Sequence, residues 1–224
     1  MEKNMRELLY NDVYEELIDQ FTKLPNRYKN SLLVYKTRLG LLINDLENNP
    51  DFELFYRRYK EIYDNPVNAV LRCVLFNYLD MSSVDTFIRS IYSIKSTLDE
   101  ATSKLQLPED VIVYRGISSN SDISGIAKGN IISTTLSFVE TDKYTTGGDS
   151  VVINEVRIPA GSPVAISPYK ILDDGVNNRL VAKISSEEEE IILNANNYMF
   201  KILESYPGKI SFNVYQAENK KARN

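Results

Sequence analysis

Leu107-Pro108-Glu109-Asp110-Val111-Ile112-Val113-Tyr114-Arg115-Gly116 divides the 224-residue chain into two halves of different character. On its N-terminal side apolar residues recur at steps of three and four, the spacing of one helical face: Tyr10, Val13, Tyr14, Leu17, Ile18 and Phe21 form one set. Leu32, Leu33, Tyr35, Leu39, Leu42, Ile43 and Leu46 form another. Pro25, Pro50 and Pro66 separate these segments, so the pattern predicts helices over 10–21, 31–46, 52–63, 67–79 and, capped by Ser83 or Ser82, 84–105. On the C-terminal side the segments 111–114, 130–135, 150–158, 162–166, 189–193, 198–203 and 210–215 are short and rich in β-branched and aromatic residues. Gly, Asn, Asp and Pro punctuate them, which predicts strands. Helices first and strands after is the order of an α+β fold. No repeat or low-complexity linker breaks the chain, so Pro108 reads as a seam inside one domain over 1–224. Its parts are a helical lobe over 1–107, a β core over 108–216 and a polar, frayed tail over 217–224.

The composition excludes several classes of function. Hydrophobic residues are 43% and charged residues 25%, and 31 Asp+Glu outnumber 26 Lys+Arg. That is a globular balance, and it makes nucleic acid a poor main partner despite the local basic run Arg57-Arg58-Tyr59-Lys60. The N-terminus has no apolar signal core and no run of about 18 apolar residues occurs. A soluble protein is expected, without membrane partner, cytoplasmic or delivered into a host cell by a route that reads no cleavable signal. The single cysteine, Cys73, lies in an apolar run and reads as a small buried hydrophobe, which rules out an internal disulfide. With no histidine and no second cysteine, structural zinc is excluded, and only carboxylate sites for hard cations remain. Catalysis must run on Arg, Ser, Thr, Tyr, Lys and carboxylates.

Three short stretches carry groups suited to chemistry. Arg115 closes a predicted strand and Gly116 follows it, leaving a guanidinium at a strand end, where its planar fork suits a pyrophosphate. Taken alone, the same residue is more simply an arginine stem lying over apolar surface. In Ser133-Thr134-Thr135, period-two alternation sends Ser133 and Thr135 to one face and Thr134 to the other. Such hydroxyls brace an arginine or a glutamate, or merely pair across strands. Glu187-Glu188-Glu189-Glu190 would ordinarily be a solvated loop, but it runs directly into Ile191-Ile192-Leu193, so Glu188 and Glu190 share a face if the strand begins among them. Two carboxylates held together resist simultaneous ionisation and take distinct roles, one stabilising an oxocarbenium-like sugar and one aligning a nucleophile.

In this order and spacing the three stretches resemble the Arg-Ser-Glu class of mono-ADP-ribosyltransferases, in particular the clostridial C3-like and binary-toxin enzymatic components, a group with bacteriophage members. The resemblance extends over about 67–205 and includes Ile94 to Gly116, with its Leu107-Pro108 hinge, and the pair Val151 to Ser162 and Val164 to Ser167. It implies a helical lobe packed on a mixed or antiparallel two-sheet β core with an NAD cleft, and NAD as substrate with no metal. It implies that Arg115, flanked by Tyr114 and Gly116, contacts the NAD phosphates, and that Ser133, with Thr134 and Thr135, steadies the NAD-binding core. Glu190 is implied as the catalytic glutamate and Glu188 as the upstream member of the Glu-x-Glu pair; a shifted strand would move the role to Glu189. An aromatic against the nicotinamide is Phe138 or Tyr144, with Phe138 preferred, and Tyr78 is the helical-lobe tyrosine lining the cleft.

The activity so implied is transfer of ADP-ribose from NAD to a macromolecule. Glu at 188 points to arginine on a protein as acceptor, recognised by residues 182–188, with a nucleic-acid acceptor second and a monomer as the working form. The alternatives are a catalytically idle module that binds NAD or a partner, and an NAD glycohydrolase without macromolecular acceptor.

Overall fold

The computed structural model describes residues 2–36, 39–46, 50–64, 79–118, 131–138, 141, 151–173, 180–184 and 189–220. Among them run the helices α1 (Glu2–Thr22), α2 (Asn26–Lys36), α3 (Leu39–Asp45), α4 (Phe52–Asp64) and α5 (Val84–Ala101). The strands β1 (Leu105–Gln106), β2 (Val111–Ser118), β3 (Ile131–Thr135), β4 (Val151–Ile158) and β5 (Pro163–Ile166) follow. Then come β6 (Tyr169–Asp173), β7 (Leu180–Ile184), β8 (Glu190–Asn194), a short helical turn Ala195–Asn197, β9 (Tyr198–Tyr206) and β10 (Ile210–Asn219). The fold is α+β. The helix expected over 67–79, with Cys73, lies outside the described residues.

Contacts gather the chain into two compact units, one of residues 1–24, 102–167 and 186–224, the other of 25–101 and 168–185. The second unit holds α2 to α5 and the hairpin of β6 and β7, paired antiparallel from Tyr169 with Ile184 to Asp173 with Leu180. Its helices bury Leu32, Val34, Leu42, Ile43, Phe87, Ile91 and Leu98, while Tyr56 and Tyr59 pack their rings against Phe87 at 5.8 and 6.2 Å. Ser83 caps α5: its Oγ accepts from the amide of Thr86, whose Oγ1 accepts in turn from the amide of Ser83, a reciprocal cap written with a hydroxyl at the third helical position. The hairpin escapes the sequence patterns because its strands are not joined by a two-residue turn.

The first unit holds an eight-stranded sheet of order β1-β5-β8-β3-β2-β4-β10-β9, in which β4 and β10 run parallel and the other pairs antiparallel. It consists of two four-stranded halves joined through one register pair, Tyr114 with Thr135. α1 packs on β1 and β5, burying Val13, Tyr14, Leu17 and Phe21, and Gln20 clamps the β1 backbone by donating to the Gln106 carbonyl and accepting from its amide, each at 3.0 Å. The seam of the sequence is stitched to the turn between β4 and β5: the Gly161 amide donates to the Leu107 carbonyl at 2.8 Å and the Leu107 amide to that of Ser162 at 3.1 Å. Asp110 Oδ1 accepts from the Ala160 amide at 2.8 Å, and Gly161 adopts φ +73°, a left-handed conformation suited to glycine.

Several boundaries differ from expectation: the helix expected over 31–46 is two, α2 and α3, the helix expected over 10–21 runs from Glu2 to Thr22, and two further shifts have a plain cause. The last helix stops at Ala101 and not at 105, because Leu105 is drawn into the sheet opposite Val164 and is buried there. At the C-terminus β10 takes in residues 217–219, which their polar character assigned to a tail; Ala217, Glu218 and Asn219 pair with Phe200, Met199 and Tyr198 of β9. Tyr198 is buried and its hydroxyl donates to the Pro163 carbonyl, so burial raises its pKa well above the ordinary 10.0. A raised tyrosine pKa adds stability that is intact below pH 10 and is lost as unfolded chains ionise above it. Unfolding in urea at stepped pH should show the Tyr198→Phe variant less stable by about 1 kcal/mol near neutrality and declining less steeply above pH ~10; parallel declines would contradict this account.

Candidate active site

β8 is the strand on which the site is built. It lies between β3 and β5, and all five of its residues are buried, as expected for a strand covered on both edges and both faces. Glu190, at its first position, is only 8% exposed, and it faces Thr135 across the β3 register. Ser133, two residues back along β3 and on the same face, donates its Oγ hydrogen to Glu190 Oε1. A carboxylate removed from water needs such a donor, since an unsatisfied buried charge costs several kcal/mol.

The three hydroxyls of β3 divide the work. Ser133 holds the carboxylate. Thr134, on the opposite face, donates to the Ile191 carbonyl at 2.7 Å and so ties β3 to the backbone that follows Glu190. Thr135 Oγ1 accepts from the Ser137 amide at 3.0 Å and closes the turn at the end of the strand. Beyond it, the Leu136 amide donates to the Glu189 carbonyl at 3.2 Å, and Thr141 donates both its amide and its hydroxyl to the Phe138 carbonyl, at 3.2 and 2.6 Å.

Tyr114 of β2, opposite Thr135, meets Phe138 edge-on, with ring centroids 5.3 Å apart and planes at 83°. Phe138 is 49% exposed, so this loop offers an aromatic face close to the Thr135 and Glu190 register row. Arg115 and Gly116 continue β2 one and two residues further; Arg115 is half-buried and stands opposite Asn154 of β4. Tyr114, Ser133, Thr134, Thr135, Phe138 and Glu190 are thus tied into one network of register pairs and bonds, whereas Arg115, next along β2, alternates to the other face of the strand, the face of Asn154. Glu188, Tyr78 and Tyr144 lie outside the described residues.

No family model matches the chain, and no curated protein matches it in sequence. Solved structures do match. Vis, an ADP-ribosyltransferase toxin from Vibrio splendidus, superposes with a TM-score of 0.53 at 13% identity, covering 98% of this chain and 87% of its own. Its complex with agmatine matches at 0.54 and 13%, over 100% and 89%. C3stau2 from S. aureus, solved with NAD, matches at 0.54 and 14%, over 95% and 96%, and the Clostridium limosum C3 exoenzyme at 0.51 and 16%, over 94% and 95%. The chain has the fold of the ADP-ribosyltransferase toxins.

Within this ADP-ribosyltransferase fold the acidic run takes a definite register. The strand expected to begin at 189 begins at Glu190, because Glu189 has φ 40°, outside the extended region. The strand's alternation therefore starts at Glu190, which is the carboxylate that meets Ser133. Two residues went unread in the sequence. Asn154 and Ser167 are both fully buried, and Asn154 Nδ2 and Ser167 Oγ have no hydrogen-bond partner among the described residues. Asn154 does carry a signal: an asparagine in mid-strand, where asparagine is disfavoured, on the face occupied by Val152, Val156 and Ile158.

A left-handed glutamate stores strain of about 1 kcal/mol that glycine would release. Glu189→Gly should leave the unfolding free energy in urea titration equal to or above that of the wild type, by up to about 1 kcal/mol, and Glu189→Val should lower it by more than about 1 kcal/mol. A loss on substitution by glycine as large as that by valine would contradict the assigned backbone conformation.

Proposed function

We propose that the chain is a single-domain, monomeric mono-ADP-ribosyltransferase that takes NAD as substrate and transfers ADP-ribose to arginine on a protein. The observation that carries this reading is the buried Glu190 carboxylate held by Ser133 across β3 and β8, in a chain with the ADP-ribosyltransferase toxin fold. NAD is supported by the NAD-bound C3stau2 structure, and a guanidinium acceptor by the agmatine complex of Vis, since agmatine carries the guanidinium of arginine. Among the described residues no cluster of three or more Cys, Asp or Glu side chains is arranged to hold a metal ion, and none of their helices is long and apolar enough to cross a membrane.

In this reading Arg115 grips the pyrophosphate with its planar fork, flanked by Tyr114 and Gly116, and Phe138 lies against the nicotinamide. Glu190 accepts hydrogen bonds from the nicotinamide ribose. Its fixed negative charge stabilises the oxocarbenium character that grows at the anomeric carbon as the C–N bond breaks and nicotinamide leaves as a neutral ring. Ser133 holds that carboxylate in one orientation, so no reorganisation is needed as the charge develops. Glu188 then aligns the acceptor guanidinium and takes the proton it loses as its nitrogen bonds to the anomeric carbon. Residues 182–188 recognise the acceptor, and Tyr78 is the helical-lobe tyrosine assigned to NAD in this proposal.

Labelled NAD incubated with the protein and a cell lysate tests this. Label on a protein band whose release by neutral hydroxylamine is faster or slower than that of an arginine-linked standard would point to another acceptor residue, label released only as free ADP-ribose to a glycohydrolase, and no turnover to an idle binding module. Glu190→Ala should lower both transfer and hydrolysis at least about a hundredfold with the melting temperature retained, whereas Glu188→Ala should lose transfer and keep hydrolysis. Unchanged labelling by Glu190→Ala would refute the assignment.

A further inference from the structure

Among the described residues Glu189 is the one non-glycine with a positive φ, 40°. In this conformation the Cβ of an L-residue crowds the neighbouring carbonyl, and glycine usually fills such a position. Here a half-buried glutamate fills it, immediately before Glu190.

What a glutamate has over glycine at this point is confinement. Glycine moves freely over the positive-φ region, whereas a residue with a Cβ is held in a small left-handed well. The carbonyl of Glu189 is pinned as well, accepting from the Leu136 amide at 3.2 Å, one rung beyond the register pair of Thr135 with Glu190. Leu136 is itself anchored: it is buried, and the turn around it is closed by the 3.0 Å bond from the Ser137 amide to Thr135 Oγ1. The peptide joining residues 189 and 190 is therefore constrained by a dihedral on one side and by a hydrogen bond at its oxygen.

That peptide sets the direction of the Cα–Cβ bond of Glu190, and so where its carboxylate meets Ser133 Oγ. We propose that Glu189 is a positioning residue: its confined left-handed backbone, clamped by the Leu136 amide, holds Glu190 in the orientation that faces the developing charge, and the local strain accompanies that fixity. The proposal rests on the reading of Glu190 as the carboxylate beside the nicotinamide ribose. It separates activity from stability, because glycine at 189 relaxes the backbone and at the same time frees Glu190 to swing. Asparagine, which tolerates the left-handed well and keeps a Cβ, restores the confinement without the carboxylate.

Steady-state NAD hydrolysis and amide hydrogen exchange, measured on the wild type, Glu189→Gly and Glu189→Asn, test it. Glu189→Gly should lower kcat about three- to tenfold with KM for NAD within about twofold of the wild type, although the variant is no less stable. Its Leu136 amide should exchange at least about tenfold faster, while Glu189→Asn stays within about twofold of the wild type in kcat and in exchange. A wild-type kcat in Glu189→Gly overturns the proposal, and so does a Glu189→Asn variant as slow as the glycine one, since the side-chain carboxylate would then be what matters. If the unaltered protein does not turn over NAD, the reading of Glu190 falls, and exchange alone decides the clamp: protection of Leu136 lost with glycine and kept with asparagine upholds it, and equal protection in all three proteins overturns it.

Discussion

The hydrogen bond from Ser133 to Glu190 is the interaction around which the rest of this structure is arranged. A carboxylate at 8% exposure is costly unless something donates to it, and the donor must arrive from a neighbouring strand because β8 alternates its own side chains up and down. The β3–β8 register supplies it, and Thr134 reinforces that register from the opposite face by bonding the Ile191 backbone. Sliding β3 by one residue would put Ile132 or Thr134 in the place of Ser133 and turn both hydroxyl faces over, so register and chemistry are one constraint.

The backbone around Glu190 is held from both ends. Ahead of it, Glu189 is left-handed and its carbonyl is tied to Leu136. After it, four further buried residues anchor the strand in the sheet. A glutamate placed in this way has little freedom to reorient, and in the proposed reaction a carboxylate facing a short-lived positive charge benefits from being fixed beforehand. Phe138, by contrast, sits exposed on a loop whose carbonyl is clamped by Thr141 and whose ring is steadied by Tyr114, an arrangement that leaves its aromatic face open to a ligand.

Much of this was legible in the residues. The division at Leu107 to Gly116 gave the α+β order, and the hydroxyl triplet's alternation correctly separated Thr134 from Ser133 and Thr135, because a five-residue strand between two neighbours has no freedom to depart from period two. The missed elements have local causes. β1 is two residues long and exists only because Gln20 and β5 hold it, which no window of sequence contains. β6 and β7 pair across an intervening segment too long for a turn signature. The acidic run could not reveal where its strand starts, since four identical residues carry no phase, and only the dihedral of Glu189 sets it. Asn154 is bonded to Asn213, 59 residues away, and that pairing is invisible until the register of β4 with β10 is known.

The fold shared with Vis, C3stau2 and the C. limosum enzyme comes at 13–16% identity, so the toxins and this chain have in common an architecture and very little of its filling. The proposed chemistry rests on a small set of side chains on β2, β3 and β8. A crystal structure of the protein soaked with NAD is the most direct test of whether those side chains act together. The account predicts the nicotinamide ribose within hydrogen-bond distance of Glu190, with Ser133 still donating to the same carboxylate and the pyrophosphate against Arg115. Density for NAD bound elsewhere, or a Glu190 carboxylate turned away from Ser133 and untouched by the ribose, would contradict it.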